Sequence, residues 1–278
     1  MIDFHTHNFP DALAPRAVES MVEKLHGALL PVGDGTLSTQ LRDMDRAGVE
    51  MAVVCPVATK PTQFQAILDR AKAVRGGEFG EEAARKLVQL CSVHPADRAY
   101  AAHLKAVADA GFKGIKLHPF YQNFRLDDPR VFPYFAALRD AGLFVIAHCG
   151  IDLEFEDMPM LCGPRQIAAL LHAVPGLTFI AAHLGGCGGN PPHAVDELLE
   201  FPDCYFDTAV VCCCDDDPES QRIMAEWPAD RLLFATDYFW RDFAHIAGWV
   251  RRYRPDQADL EKIFSGNARR LLGLGIVE

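Results

Sequence analysis

The sequence predicts an α/β protein built as a single (β/α)8 TIM barrel that spans residues 1–278. Short apolar runs rich in β-branched residues alternate with stretches of helical periodicity, and there are eight such runs. Alternating strands and helices favour parallel pairing with right-handed crossovers, and eight of these units close into a barrel. The length of 278 residues also suits one barrel, which takes about 250 residues.

The predicted strands are short, and each is followed by a loop and then a helix. They cover residues 1–4, 49–55, 88–93, 114–117, 143–147, 177–182, 204–206 and 232–235. A doubly wound sheet is the alternative, but its glycine-rich phosphate-binding turn would follow the first strand. His5-Thr6-His7 stands there instead, so the barrel is the preferred fold.

The predicted helices occupy the segments between these strands. They cover residues 37–47, 99–110, 129–141, 164–174, 194–201, 218–227 and 242–253, and a last helix at 259–272 closes the barrel. Ser38 is the predicted N-cap of the first of these helices, and Gly48 is its C-terminal stop. No linker or repeat beyond the βα unit interrupts the pattern, so we expect a single domain.

Composition narrows the class of protein. With 27 Lys and Arg against 38 Asp and Glu the formal charge is −11, which gives no general attraction to nucleic acid or anionic lipid. The first residues lack a signal-peptide pattern, and no apolar run is long enough to span a membrane. The nine cysteines are irregularly spaced, so we expect reduced thiols in a cytoplasmic protein, with Cys212, Cys213 and Cys214 in an oxidation-prone loop.

Polar side chains stand at the carboxyl ends of the predicted strands. His5 and His7 follow the first strand, His118 the fourth, His148 the fifth, His183 the sixth and Asp237 the eighth. The strand ends of a barrel converge on one mouth, so residues distant in sequence become neighbours. His5 and His7 are two residues apart on an extended segment and therefore point to the same side, as two ligands of one ion must.

Several imidazoles and a carboxylate suit zinc, manganese, iron or another first-row divalent ion with an open position for water. Such an ion lowers the pKa of bound water to about 7. Asp207 ends the seventh strand and either contacts the substrate or bonds a metal-binding histidine. Glu154, Glu156 and Asp157 belong either to a solvated loop or to a loop that touches the substrate.

Short motifs surround the polar residues at the strand ends. HTH follows the first strand, GIKLHP covers the fourth, and AHCG, AAHLGG and FATDYFW end the fifth, sixth and eighth. With these motifs the sequence resembles the amidohydrolase superfamily. The closing SGNARRLLGL resembles the end segment of the amidohydrolase-related branch that includes aminocarboxymuconate-semialdehyde decarboxylase. The resemblance runs essentially end to end and implies a barrel of the metal-dependent hydrolase type.

The resemblance implies a ligand set and catalytic residues. His5, His7, His148 and Asp237 would hold one divalent ion, with zinc expected and manganese or iron as alternatives. Asp237 and His183 would be catalytic, with His183 bonding the metal-bound water and moving protons, or binding a second ion where two are present.

The same resemblance implies a substrate pocket around the fourth strand. Lys116 would be an unmodified cation that faces a substrate carboxylate or carbonyl. The alternative is a carboxylated Lys116 that bridges two ions. His118, Tyr121 and Gln122 would line this pocket.

Two reaction types follow from these residues. The first is hydrolysis of a small amide, ester or lactone, in which Asp237 takes the proton of the attacking water. The alternative is a non-hydrolytic lyase, a decarboxylase or hydratase, acting on a small unsaturated carboxylate. We expect a small-molecule substrate, no nucleic-acid or membrane partner, and a possible homodimer.

Overall fold

Strands alternate with helices along the chain, as the sequence predicts. The computed structural model describes residues 1–155, 157–186, 190–209 and 217–275. Within those residues the strands are β1 Ile2–Thr6, β2 Met51–Val54, β3 Leu87–Gln89, β4 Gly114–Leu117, β5 Phe144–Ala147, β6 Phe179–Ala181, β7 Cys204–Asp207 and β8 Leu232–Leu233.

Helices fill most of the segments between the strands. The α-helices are Ala14–Lys24, Leu37–Ala47, Phe64–Arg75, Glu81–Lys86, Tyr100–Asp109, Pro119–Gln122, Phe132–Asp140, Pro164–Ala173, Pro218–Glu226, Phe243–Tyr253, Gln257–Glu261 and Asn267–Leu272. Shorter 3-10 turns lie at Pro61–Gln63, Leu153–Phe155, Ala194–Glu200 and Ala229–Arg231. Ala182–Gly186 is a turn whose central residues have left-handed backbone angles.

The chain divides into two units by its contacts. The first contains Met1–Val54, Ala73–Gln89 and Asp207–Glu278. In it β1, β2 and β3 pair in parallel, with Asp3 opposite Ala52 and Val53 opposite Val88. The Phe4 N–H donates to the Phe234 carbonyl, which joins the first strand to the chain after β8.

The second unit contains Cys55–Lys72 and Leu90–Phe206. Here β4 pairs with β5, β5 with β6, and β6 with β7, all in parallel. The residues of β4 and β5 are fully buried, which fits strands covered on both faces, as parallel sheets with helical crossovers require. Because neighbouring strands run in the same direction, the residues that follow β4, β5 and β6 lie at one edge of this sheet.

The elements agree with the sequence in most places. The predicted strand at 114–117 and helix at 37–47 have the observed bounds. The N-cap prediction is wrong: Thr36, not Ser38, caps the helix by accepting the Thr39 N–H at 3.2 Å. The predicted closing helix is three segments, because a π-helical stretch at Lys262–Gly266 separates two short α-helices.

The structure bears on some further predictions. Among the described residues, Cys55, Cys91, Cys149, Cys162 and Cys204 are buried and carry reduced thiols. Cys212, Cys213, Cys214 and Glu156 lie outside the described residues. No helix in the described part of the chain is both long and apolar enough to cross a membrane. The single domain over residues 1–278 stays a prediction.

Candidate metal centre and active site

In the first unit, β1 points His5 and His7 toward one carboxylate. The Nε2 atom of His7 lies 3.0 Å from Asp237 Oδ1, and that of His5 lies 3.6 Å from the same oxygen. The two rings meet edge to face with centroids 5.1 Å apart. The period of two along a strand therefore does place both imidazoles on one side, as the sequence predicts.

Asp237 is held beside these histidines by its backbone. Its N–H donates to the His5 carbonyl at 2.9 Å, and the next residue's carbonyl accepts the His7 N–H. Asp237 has a φ of 62°, in the left-handed region that few residues other than Gly, Asn and Asp adopt. Strained backbone of this kind is concentrated at functional sites, where surrounding contacts fix it.

Asp207 fixes the orientation of the His5 ring. The His5 Nδ1 and the Asp207 Oδ2 atoms lie 2.9 Å apart, and both side chains are buried. With Nδ1 donating to this carboxylate, the lone pair of the neutral imidazole is on Nε2, the atom that faces Asp237. Of the two roles predicted for Asp207, the hydrogen bond to a histidine is the one observed.

Asp3 bonds the backbone next to the His5, His7 and Asp237 side chains, and it was not identified from the sequence. It is fully buried in β1 and accepts the N–H groups of His5 and Thr236 and, at 2.5 Å, the Thr236 hydroxyl. Burial raises the pKa of Asp3 to about 8, against the lowering effect of these hydrogen bonds. The available signal was a charged residue within an apolar strand, two residues before His5.

In the second unit, His148 follows β5 and His183 lies in the turn after β6. The His148 Nδ1 and His183 Nε2 atoms are 3.0 Å apart. Burial, with His118 and His183 nearby, lowers the pKa of His148 well below its ordinary value, so its imidazole is neutral. Neutral imidazole is the form that binds a metal ion.

Two glycines allow these histidines to approach each other. Gly150 and Gly186 have φ values of 88° and 97°, and a Cβ atom on Gly186 would lie 2.5 Å from the Gly150 Cα. The backbones after β5 and β6 are thus in direct contact. His183 itself has a φ of 60° within this left-handed turn, which costs a non-glycine residue about 1–2 kcal/mol.

Asp152 joins two of the predicted histidines and was not itself predicted. Its Oδ2 lies 3.3 Å from His118 Nε2 and 3.9 Å from His148 Nε2. The two rings stack with centroids 4.2 Å apart. Spacing offered a signal, since Asp152 stands four residues after the strand-end His148. The acids predicted to approach the substrate, Glu154, Glu156 and Asp157, lie further along this loop.

The remaining predicted pocket residues surround the end of β4. Lys116 is a buried residue of this strand. The Gln122 amide accepts the His118 N–H at 2.8 Å and donates to the Ala58 carbonyl at 3.0 Å, so both its polar atoms hold the local fold. The Tyr121 hydroxyl donates to Glu154 Oε2 at 2.6 Å, which connects the predicted pocket to the loop after β5.

The described residues provide donor groups that fit a divalent ion. His5, His7 and Asp237 offer ligand atoms that lie within 4.8 Å of one another, and His118, His148 and Asp152 do the same. Two imidazole nitrogens and one carboxylate oxygen are a donor set that suits zinc, manganese or iron. The structure thus unites His5, His7 and Asp237 as predicted, and it places His148 beside His118 and His183.

Comparison with known proteins decides the family. A family model described as Amidohydrolase matches residues 2–274. The chain belongs to the amidohydrolase family. This confirms the resemblance seen in the strand-end motifs, and it shows that the protein is an enzyme.

This amidohydrolase has relatives of similar length. A gamma-resorcylate decarboxylase from Rhizobium radiobacter is 24% identical over an alignment of 308 positions, gaps included. The alignment spans 91% of this chain and 90% of the relative. The solved structure of a TIM-barrel protein from Bordetella bronchiseptica matches with a TM-score of 0.74 at 20% identity, over 98% of both chains. A dihydroxybenzoic acid decarboxylase from Polaromonas, solved with bound manganese, matches with a TM-score of 0.64 at 16% identity, over 99% of this chain and 97% of its own.

These matches confirm the fold class and bear on the reaction type. The amidohydrolase has the α/β architecture of a (β/α)8 barrel, as predicted. The curated relative is a decarboxylase. The comparisons therefore favour the lyase alternative over hydrolysis, the first of the two predicted reactions.

Proposed function

We propose that this amidohydrolase is a divalent-metal-dependent decarboxylase of a small hydroxylated aromatic carboxylate. The observation that carries the proposal is the His5–His7–Asp237 group, with both Nε2 atoms within 3.6 Å of one carboxylate oxygen. The similarity to gamma-resorcylate decarboxylase supports the choice of reaction and substrate class.

His5, His7 and Asp237 are the proposed ligands of one ion. His148 is the fourth ligand inferred from the sequence, and its Nδ1 is the atom that faces another imidazole nitrogen at 3.0 Å. When bound, a divalent ion in such a site stabilises negative charge on a substrate oxygen. Zinc and manganese are the ions to test, because the ligand set suits both.

The chain's own residues account for the other requirements of the reaction. Decarboxylation breaks the bond between the ring carbon and the carboxylate, releases CO2, and leaves an electron pair on carbon that takes up one proton. We assign delivery of this proton to Asp237, which would take it from water, with His183 in proton transfer. Lys116 supplies the positive charge that binds an anionic substrate. His118 lines the same pocket, and the rings of Phe120 and Tyr121 after β4 supply apolar surface for an aromatic ring.

The experiment compares decarboxylation with hydrolysis directly. Protein stripped of metal and reloaded with zinc or manganese is incubated with gamma-resorcylate and related hydroxybenzoates, and with ester and lactone substrates in ¹⁸O-labelled water. We expect release of CO2 in equal amount to the substrate lost, and only in the metal-loaded protein. Incorporation of ¹⁸O from the water into the product of an ester or lactone, without CO2 from any carboxylate, would contradict the proposal and favour the hydrolase.

A further inference from the structure

We propose that Asp152 is a positioning residue for the metal centre, and that its carboxylate sets the ring orientation and tautomer of His148. This inference rests on the proposed function, because it assigns the His148 Nδ1 atom to the ion. Neither the family motifs nor the comparisons assign a role to Asp152. The contacts within the second unit carry the argument.

The first observation is how one carboxylate oxygen meets two rings. Asp152 Oδ2 is 3.3 Å from His118 Nε2 and 3.9 Å from His148 Nε2. The rings are nearly parallel, with an interplanar angle of 16°. Both rings direct Nε2 toward Asp152 Oδ2, so the negative charge of Asp152 acts on the two stacked imidazoles together.

The second observation is the state of the two His148 nitrogens. Nδ1 faces His183 Nε2 at 3.0 Å. Nε2 is buried and makes no hydrogen bond within the described residues, and the Asp152 Oδ2 atom lies 3.9 Å away from it. A neutral imidazole carries its hydrogen on one nitrogen only. A carboxylate on the Nε2 side favours the hydrogen there, which leaves the lone pair on Nδ1 for a metal ion.

The third observation is that Asp152 is itself held in place. Its Oδ1 accepts the Glu154 N–H at 2.8 Å, and its carbonyl accepts the Phe155 N–H at 2.9 Å. Glu154 in turn accepts the Tyr121 hydroxyl, and Phe155 stacks on Phe120. The loop therefore fixes the carboxylate, as a group that orients a metal ligand requires.

A carboxylate also lies beside a histidine in the first unit, at the other ring nitrogen and at 2.9 Å instead of 3.9 Å. There Asp207 meets Nδ1 of His5, which assigns the lone pair to Nε2. In the second unit Asp152 is on the Nε2 side of His148, which assigns the lone pair to Nδ1. Two of the predicted histidine ligands, His5 and His148, thus have a carboxylate on the side of the nitrogen that does not bind metal.

The test replaces Asp152 by Asn, which keeps an oxygen for the Glu154 N–H, removes the charge, and turns the oxygen that faces the rings into an NH2 donor. Manganese affinity of the metal-stripped protein is measured by titration calorimetry, with Asp157→Asn, an exposed acid of the same loop, as the matched control. We expect Asp152→Asn to bind manganese about 10–100-fold more weakly, the usual effect of losing a group that orients a ligand. Asp157→Asn should bind as the wild type does.

A second measurement uses the wild-type protein without metal and does not depend on a variant folding. Nitrogen-15 NMR of the histidine rings reports which nitrogen carries the hydrogen, with His148 assigned through its signal loss in His148→Gln. We expect the Nε2–H tautomer for His148.

The outcomes separate this inference from the proposed function. Unchanged manganese affinity in Asp152→Asn, or the Nδ1–H tautomer in wild-type His148, would overturn the role of Asp152 and leave the decarboxylase in place. A wild-type protein that binds no manganese or zinc would overturn both.

Discussion

At the scale of single residues, the candidate centre depends on carboxylates that fix imidazole rings. Asp207 bonds His5 at 2.9 Å, and Asp237 lies within 3.6 Å of Nε2 of both His5 and His7. Each carboxylate directs an oxygen toward an imidazole nitrogen and so fixes the orientation of that ring. Changes to these groups should therefore affect chemistry more than folding.

Asp237→Asn tests the assignment of proton delivery. Asn tolerates the left-handed backbone at this position, so the fold should be retained, with a melting temperature near that of the wild type. Because an amide cannot deliver the proton, we expect turnover to fall by about 10²–10⁴-fold, the range for loss of a general acid or base. Equal turnover in the variant would remove Asp237 from the mechanism.

Part of the site could be predicted at this scale and part could not. His5, His7 and Asp237 follow from strand ends and the period of two, which are properties of the backbone. Asp3 and Asp152 each left a signal, a charge within an apolar strand and an acid four residues after a strand-end histidine, but their partners depend on burial and ring rotation, which spacing does not specify. Gln122 stays a predicted substrate contact, and its amide also bonds the His118 N–H and the Ala58 carbonyl, which the sequence does not indicate.

At the scale of elements, the contact between the chain after β5 and the turn after β6 controls the position of His148 and His183. Gly150 and Gly186 touch through their backbones, so neither position has room for a side chain. The left-handed angles of His183 and Leu184 add strain that this contact must support.

Gly186→Ala should therefore weaken both stability and activity. A Cβ atom there would lie 2.5 Å from Gly150 backbone atoms, and forced overpacking of this kind costs about 1–3 kcal/mol. Gly248→Ala is the control, since that glycine lies in the helix Phe243–Tyr253 with no atom within 4 Å of the added Cβ. It should be neutral or stabilising by up to about 1 kcal/mol. Equal free energies of unfolding for the two variants, measured by denaturant titration, would contradict this account.

Element boundaries were predictable where local chemistry decides them. The helix Leu37–Ala47 ends at Gly48, whose φ of 68° needs glycine, so its end can be read from the sequence. Its start was missed because Thr36 and Ser38 both have the capping chemistry, and only the backbone angles select Thr36. The π-helical stretch at Lys262–Gly266 has no comparable sequence signal.

At the scale of the whole molecule, the alternation of strands and helices was enough to predict the barrel. The reaction was harder to predict, because a divalent ion held by His5, His7 and Asp237 would suit hydrolysis and decarboxylation alike. The preference for decarboxylation comes from the curated relative and not from the ligand set. Both reaction types require that the chain binds a divalent ion, so the proposed metal centre is what the account claims first.

Metal content per chain tests that claim most directly. The wild type and the double variant His5→Ala/His7→Ala are purified without a histidine tag, stripped, reloaded with zinc or manganese, and measured by elemental mass spectrometry. We predict about one ion per folded wild-type chain and close to none in the double variant, since two of the proposed ligands are gone. No ion in the folded wild type, or full metal content in the double variant, would contradict the proposed centre.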